Sequence, residues 1–266
     1  MAKRHAAAIG SSLVKVGVLI RISSWGAVGF LAFFTCSTFL IAGRAENRRP
    51  PAISAVAPSI RLANISSGLA VGAGKNVLIA GFIITGSQPK KILLRALGPA
   101  LPVTENLADP TLELHDSSGA TMAGNDNWRE TQENELKATT IPPNNDYDSA
   151  IVRSLTPGAY TAVLAGKGAT IGVGLVEVYD LDGTVDSKLA NISTRGFVGQ
   201  GDSVLIGGVI VVGGGSTNVL FRAIGPSLPG VSNALQDPTL ELYDGQGRAI
   251  ASNDNWQDTQ ASEIQG

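Results

Sequence analysis

The chain of 266 residues has few of the side chains on which enzymes and metalloproteins rely. It contains one cysteine, Cys36, and two histidines, His5 and His115. Since Cys36 and His5 fall within the first 45 residues, the remainder has no thiol and a single imidazole. A disulfide framework and a zinc site built from several Cys or His ligands are therefore excluded there.

Acidic residues are absent from the first 45 positions, which contain five Lys and Arg residues. An apolar run covers Trp25 to Ala42, and Gly43-Arg-Ala45 has the small-x-small pattern of a cleavage site. This order is typical of a secretory signal. A retained helical membrane anchor is the alternative, because the run approaches the ~18 residues that indicate a membrane span. Residues 1–45 are thus predicted to be a signal peptide or membrane anchor, and the rest to be exported, extracellular or at the cell surface.

Beyond position 45 there are 22 Asp and Glu against 15 Lys and Arg, a net charge of −7. Nucleic-acid binding requires basic surfaces that neutralise phosphate, so this balance argues against such a partner. Membrane contact is expected only through the N-terminal segment.

The chain does contain a long internal repeat. Four segments recur in the same order: Leu62–Ser66 as Leu189–Ser193, Arg95–Pro99 as Arg222–Pro226, Asp109–Leu114 as Asp237–Leu242, and Asn125–Trp128 as Asn253–Trp256. A period above one hundred residues predicts tandem domains, not a solenoid. The second copy has no counterpart of Lys137–Asp182, so open sheet edges and self-association through this truncated copy are expected.

Short segments rich in branched residues alternate with Gly and Pro turns from Ile60 onward, which predicts antiparallel strands. Helical composition is confined to Glu130–Lys137. Eight or nine strands exceed an average sheet, so two packed sheets are expected. The predicted fold is an all-β, antiparallel, jelly-roll-like sandwich, tandemly repeated. The predicted divisions are 1–45, a proline-rich linker over 46–59, a first module over 60–182, a hinge over 183–187 and a partial second module over 188–266.

The Asn125-Asp-Asn-Trp128 motif is the strongest candidate for a binding site. Asn and Asp oxygens suit calcium, and Asp116 and Asp180 are further acids that the fold could bring near. The calcium candidates are therefore Asp116, Asn125, Asp126 and Asp180, and no other cofactor is predicted. The spacing does not match an EF-hand loop, and Asn and Asp also stabilise turns, which is the competing interpretation.

Trp128 has two interpretations as well. It either closes the core as a buried plug, which the low aromatic content of 5% favours, or stacks on a sugar ring at the surface.

No catalytic residue is predicted, and the chain is expected not to be an enzyme. A Ser-His-Asp triad would depend on His115, whose counterpart in the second copy is Tyr243. Glu113 and Glu241 alternate with leucines, so they are expected to point away from the core as solubilising charges.

Three segments form a recognisable pattern: Leu112–Gly119, Ser149–Val163 with its Leu-Thr-Pro-Gly-Ala-Tyr motif, and the predicted closing strand Gly174–Tyr179. Through these segments, residues 109–182 resemble the bacterial pre-peptidase C-terminal domain, a sandwich related to collagen-binding domains. The complete repeat is similar to modules of large secreted proteins of Verrucomicrobia-type bacteria. The resemblance implies a non-catalytic domain, and some relatives bind calcium.

The expected function is a structural or adhesive role of an exported protein at the cell surface. The alternative is a carbohydrate- or calcium-binding accessory module, with an extracellular glycan or protein as partner.

Overall fold

The computed structural model describes residues 16–23, 30–39, 60–199, 201, 203–214 and 216–265. The predicted linker over 46–59 and the predicted cleavage motif over 43–45 lie outside the described residues. No helix in the described ranges is both long and apolar enough to cross a membrane.

Strands dominate the described chain. The first copy of the repeat contains β3 (Arg61–Val71), β4 (Leu78–Thr85), β5 (Lys90–Leu97), β6 (Pro110–His115), β7 (Thr121–Asn125), β8 (Ser149–Leu155), β9 (Gly158–Gly166) and β10 (Gly172–Asp180). The second contains β11 (Lys188–Val198), β12 (Leu205–Val212), β13 (Asn218–Ile224), β14 (Thr239–Tyr243) and β15 (Ala249–Asn253). Preceding both are β1 (Val16–Ser23) and β2 (Phe30–Phe39), and the helical elements are α1 (Glu133–Ala138), α2 (Ala261–Gln265) and a 3-10 turn at Lys167–Ala169.

These strands form two large antiparallel sheets, as the all-β prediction requires. The order is β15-β14-β1-β12-β3-β10-β5-β8 in the eight-stranded sheet and β13-β2-β11-β4-β9-β6-β7 in the seven-stranded sheet. Apolar side chains from both sheets form one buried cluster, in which Ile65 and Leu94 of the first sheet join Phe82 and Leu112 of the second. The architecture is thus sandwich-like, with the core between the sheets.

Both sheets run from the first copy into the second through two ladders. Strand β3 pairs with β12, with Ile65 opposite Val209. Strand β11 pairs with β4, with Ile192 opposite Phe82. The two ladders use corresponding positions of the two copies, and each has its register irregularity at the same place, next to Leu62 in β3 and Leu189 in β11. Each copy therefore contributes to both sheets.

Among the described strands, β1 and β2 take the positions in the second copy that β9 and β10 take in the first. β1 lies between β12 and β14, as β9 lies between β4 and β6, and β2 lies between β11 and β13, as β10 lies between β3 and β5. The register also corresponds: Thr35 is opposite Ser193 and Arg222, as Glu177 is opposite Ser66 and Arg95.

This arrangement differs from two sequence-based expectations. Phe30–Phe39, within the predicted apolar helix, is a strand. The second copy has fewer open edges than expected, because β1 and β2 pair with four of its strands. An extended conformation is available to this segment because its backbone groups find partners in existing sheets.

The predicted hinge over 183–187 is fastened to the turn between β4 and β5. Asp186 Oδ2 accepts a hydrogen bond from Ser87 Oγ at 2.8 Å, and Ser187 Oγ accepts one from the backbone N–H of Gln88 at 3.0 Å. Gly86 has φ +110°, and a Cβ there would lie 2.5 Å from Ser187 Cα, so this contact requires glycine.

The Gly-Pro turn after β5 and its counterpart after β13 pack backbone against backbone. A Cβ at Gly98 would lie 2.0 Å from the carbonyl oxygen of Leu107, and one at Gly225 would lie 1.9 Å from that of Leu235. A carbonyl of the main chain cannot move aside as a side chain can, so both glycines are sterically required.

We predict that Gly98→Ala and Gly225→Ala each lower the free energy of unfolding by at least ~2 kcal/mol, because the added methyl group overpacks a main-chain contact. Gly124→Ala is the matched control, since its nearest neighbour would be 3.8 Å away, and should change stability by less than ~0.5 kcal/mol. Urea unfolding followed by far-UV circular dichroism measures all three. Equal stability of Gly98→Ala and Gly124→Ala would contradict the packing argument.

Candidate functional site

The repeated motifs of the first copy meet on the outer face of the eight-stranded sheet. Strand β5 is apolar on both sides: Ile92 and Leu94 face the main core, whereas Leu93 belongs to a second buried cluster on the outer face. Residues 125–148, here called the cap, cover that cluster and contain α1. The cap begins with the Asn-Asp-Asn-Trp motif and ends at Asp148.

Trp128 is the centre of this cluster. Its side chain is 2% exposed and packs with Leu93, Leu136 and Val152. The indole Nε1 donates to the carbonyl oxygen of Asn145 at 3.0 Å. The buried interpretation of Trp128 is therefore correct, although the side chain packs in the outer cluster and not in the main core between the sheets.

Two cap side chains hydrogen-bond to the backbone of β8. Asn125 Oδ1 accepts from the N–H of Ala150 at 2.8 Å, while its Nδ2 donates to Asn127 O at 3.1 Å. The Gln132 amide makes both bonds to Val152, accepting from its N–H at 3.0 Å and donating to its carbonyl at 2.8 Å. The amides thus replace a neighbouring strand along the outer edge of β8.

Asp148 is fully buried and holds the Gly-Pro turn. Its Oδ1 accepts a hydrogen bond from the N–H of Gly98 at 2.8 Å, and its Oδ2 has no hydrogen-bond partner. Burial raises the pKa of the Asp148 carboxyl above its ordinary value, and the backbone amides of Gly98, Ala100 and Asn145 oppose that shift.

The guanidinium group of Arg95, in the Arg-Ala-Leu-Gly-Pro motif, donates hydrogen bonds to several neighbouring residues. Its Nε donates to Glu177 Oε2 at 2.7 Å, its Nη1 to the carbonyl of Ile141 at 3.0 Å, and its Nη2 to the Tyr179 hydroxyl at 3.0 Å. Burial and the neighbouring Glu177 carboxylate raise the pKa of Tyr179. Arg95 therefore ties the cap to β10.

A second internal ion pair lies at the end of β10. Lys90 is fully buried, and its Nζ lies 3.2 Å from Asp180 Oδ2 and 2.6 Å from the carbonyl of Asp182. Arg61 Nε lies 3.2 Å from the same Asp180 oxygen. Burial raises the pKa of Asp180, with the Asp182 amide and the Lys90 ammonium opposing. Asp180, one of the predicted calcium ligands, therefore has two cationic side chains beside it, Lys90 and Arg61.

The other calcium candidates also have partners of their own. Asp126 Oδ2 lies 2.5 Å from Lys167 Nζ. Asp116 closes the β6–β7 turn by accepting hydrogen bonds from the Ser118 hydroxyl and from the N–H groups of Ser118 and Ala120. The bond from the Ser118 hydroxyl is the main reason that the pKa of Asp116 is lowered. In the described ranges, no three His, Cys, Asp or Glu side chains are placed to hold a metal. Calcium binding stays a prediction.

A shallow groove of about 320 Å³ lies over β6 and β7. Its lining residues are Thr111, Leu112, Glu113, Gly124, Asn125, Asp126, Glu130 and Thr131. Nearby, His115 Nε2 is 3.0 Å from Glu113 Oε2, and His115 Nδ1 is 3.4 Å from Thr121 Oγ1. Glu113 is an exposed strand residue, as the alternation predicted.

Sequence reasoning did not single out Gln132, Asp148 or Lys90 for these roles. Gln132 lies in a segment whose composition indicated only a short helix, and Lys90 flanks a strand, where a lysine is ordinarily solvated. The one available signal was Asp148-Ser149, where an acid immediately precedes an apolar strand.

Comparison with known proteins does not add a family to this description. No protein-family model matches the chain, and no curated protein matches it.

We predict that Trp128→Ala destabilises the protein by ~3–5 kcal/mol, because it empties the centre of the buried outer cluster. Trp256 occupies the corresponding position of the second copy and is 45% exposed, so Trp256→Ala provides the matched control and should cost less than ~1 kcal/mol. Chemical unfolding followed by circular dichroism compares the two. A larger loss from Trp256→Ala would show that the second copy buries its tryptophan in solution.

We predict a pH-dependent effect of Asp148→Asn. Because the folded-state pKa of Asp148 is raised, the folded state binds more protons than the unfolded state above the unfolded pKa of ~3.9. The contribution of Asp148 is therefore fully present at lower pH and is lost as the pH rises through the folded pKa. Asn keeps the acceptor for Gly98 and does not ionise, so its stability relative to wild type should improve as the pH is raised from ~4 to ~7.

Asp148→Ala separates the hydrogen bond from the charge. It leaves the Gly98 amide without this acceptor and should cost ~1–3 kcal/mol even where Asp148→Asn is neutral. Urea midpoints measured across the pH series test both variants. A difference between Asp148→Asn and wild type that does not change with pH would contradict the assignment.

Proposed function

We propose that this chain is an exported, non-enzymatic protein of tandem jelly-roll-like β-sandwich modules with a structural or adhesive role at the cell surface. The observation that supports this proposal is the pair of strand ladders that joins the two copies. One ladder pairs β3 with β12, and the other pairs β4 with β11. Each ladder contains seven residue pairs. Separating the copies would break both ladders and expose the shared core, which supports a role in which the two copies stay joined as one body.

The chemistry of the repeated motifs agrees with this role. In the first copy, Arg95, Asn125 and Trp128 all bind other parts of the same fold. The motifs that recur most faithfully are therefore accounted for by folding. The net charge of −7 after residue 45 suits a solvated exported surface.

The sequence and the fold point to different roles for the N-terminal segment. Its composition is that of an export signal, whereas its residues 16–23 and 30–39 form strands of the sheets. The mass of the exported protein distinguishes the two: removal of residues 1–45 indicates a cleaved signal, and an intact N-terminus indicates retained strands.

A calcium-binding role is the second candidate. Asp109 Oδ1 and Asp126 Oδ1 are buried oxygens without a hydrogen-bond partner, and the Oδ2 atoms of these two residues lie 3.6 and 2.5 Å from the Lys167 ammonium. Calcium would have to compete with that ammonium. A calcium-dependent rise in the melting temperature that Asp126→Asn abolishes would favour this candidate over a purely structural role.

The proposal predicts that bacteria producing the full chain with a C-terminal tag display the tag outside the cell and adhere better to surfaces coated with matrix proteins or glycans. The control is the double variant Leu31→Asp, Phe34→Asp, which interrupts the apolar run and should abolish export. Tag accessibility to external protease and cell adhesion are the two measurements. Retention of the wild-type chain inside the cell, or a hydrolytic activity that His115→Ala removes, would overturn the proposal.

A further inference from the structure

The outer face of the seven-stranded sheet is uncharged along two adjacent strands, β4 and β9. Their inward side chains, among them Phe82 and Tyr160, belong to the main core, so the alternate residues point outward. These outward residues are Ile79, Gly81, Ile83, Thr85, Ala159, Thr161, Val163 and Ala165. A sheet face in contact with water ordinarily carries polar and charged side chains at such positions.

This outer face is accessible. Ile83 is 38% exposed, and the other outward residues of β4 and β9 are exposed or half-buried. The outer face of the eight-stranded sheet is different in the first copy, because the cap buries its apolar cluster around Leu93 and Trp128. The uncharged face is therefore a candidate contact surface.

Charged residues flank the uncharged strands in a single row across the sheet. Glu113 of β6 is opposite Val163, Val163 is opposite Ile79, and Ile79 is opposite Arg195 of β11. The Glu113 side chain is 57% exposed, and Arg195 is half-buried. The row thus has an acid at one end, a cation at the other and two branched apolar residues between them. A half-turn about an axis parallel to the strands exchanges its two ends.

We propose that this face binds the same face of a second molecule of this chain, in a two-fold symmetric dimer with aligned strands. The half-turn places β4 of one molecule over β9 of the other, and β6 over β11. Glu113 of each molecule then meets Arg195 of the other. Val163 and Ile79 pack between these two ion pairs.

The neighbouring rows also complement each other in size under this half-turn. Thr161 is opposite Gly81 in the sheet, so in the dimer Thr161 of each molecule lies over Gly81 of the other. Ile83 is opposite Ala159, so these two residues meet in the same way. Each row therefore sets a larger side chain over a smaller residue, as interdigitating sheets require.

The size of the face sets the expected strength of the contact. At ~3.4 Å per residue and ~4.8 Å between strands, the outward surface of β6, β9, β4 and β11 covers about 500 Å². Two such faces bury about 1,000 Å², which is near the lower limit for a specific interface. The dimer is accordingly expected to dissociate on dilution.

Sedimentation velocity of the full chain over a concentration series tests the dimer. The wild-type chain should show a reversible monomer–dimer equilibrium. Thr161→Arg places a long cationic side chain over Gly81 of the other molecule and should leave monomer only. The matched control is Ser154→Arg, at an exposed position of β8, which should leave the equilibrium unchanged. Circular dichroism verifies that each variant is folded.

A charge exchange tests the two-fold arrangement itself. Glu113→Arg and Arg195→Glu each introduce two like-charge contacts into the dimer, so each should weaken dimerisation at least about tenfold. An equimolar mixture of the two variants should recover the wild-type affinity. In the mixed dimer both contacts again join a cation to a carboxylate, and misfolded variants could not recover in this way.

Three results would overturn the proposal. The first is a wild-type chain that stays monomeric at every concentration. The second is a dimer that Thr161→Arg leaves intact, which would place the contact on another surface. The third is a mixture of the charge variants that associates no better than either variant alone. Failure of adhesion would bear on the proposed function and not on this interface.

Discussion

The pairing of β3 with β12 and of β4 with β11 is the interaction on which the rest of the structure depends. Without these ladders β3, β4, β11 and β12 would be edge strands, with unpaired backbone groups and half of the shared core uncovered. With them, β3 and β11 each have partners on both sides. The small residues at the junction permit the close approach: a Cβ at Gly81 would lie 2.8 Å from Ser193 Oγ, and one at Gly196 would lie 2.3 Å from Leu69 Cδ2.

The cap follows from the same requirement for backbone partners. β8 is the edge of the eight-stranded sheet, and its outer backbone groups are met by the side-chain amides of Asn125 and Gln132. These side chains satisfy the backbone groups of an edge strand that could otherwise pair with another chain. In the first copy, the asparagine at the start of the Asn-Asp-Asn-Trp motif accepts a hydrogen bond from the backbone of β8, and the tryptophan covers the apolar outer face of β5.

In the second copy, the repeated strands have different neighbours from those in the first copy. Two N-terminal strands take the register positions of β9 and β10, although Val16–Ser23 and Gly158–Gly166 share little sequence. Backbone pairing is sufficient for this exchange, because ladder hydrogen bonds do not depend on side-chain identity. A chain made of such units gains cohesion from the shared strands.

Much of the local structure was predictable from the sequence. The strands β4, β5, β6, β8, β9 and β10 lie where branched, alternating segments between Gly and Pro turns predicted them, and α1 lies largely within the predicted short helix. These elements depend on the periodicity of nearby residues, which a single chain displays directly. The repeat was visible for the same reason, since it is a property of the letters alone.

What only the tertiary structure decided is which edges meet and where the polar motifs point. Nothing local distinguishes a strand that pairs within its own copy from one that continues into the next, so the β3–β12 and β4–β11 ladders were not foreseen. Asp180 and Asp126 read as calcium ligands in the sequence, yet Lys90 and Lys167, distant along the chain, lie beside them. Long-range contacts determine burial and charge partners, and burial in turn determines whether Trp128 is a core residue and Trp256 an exposed one.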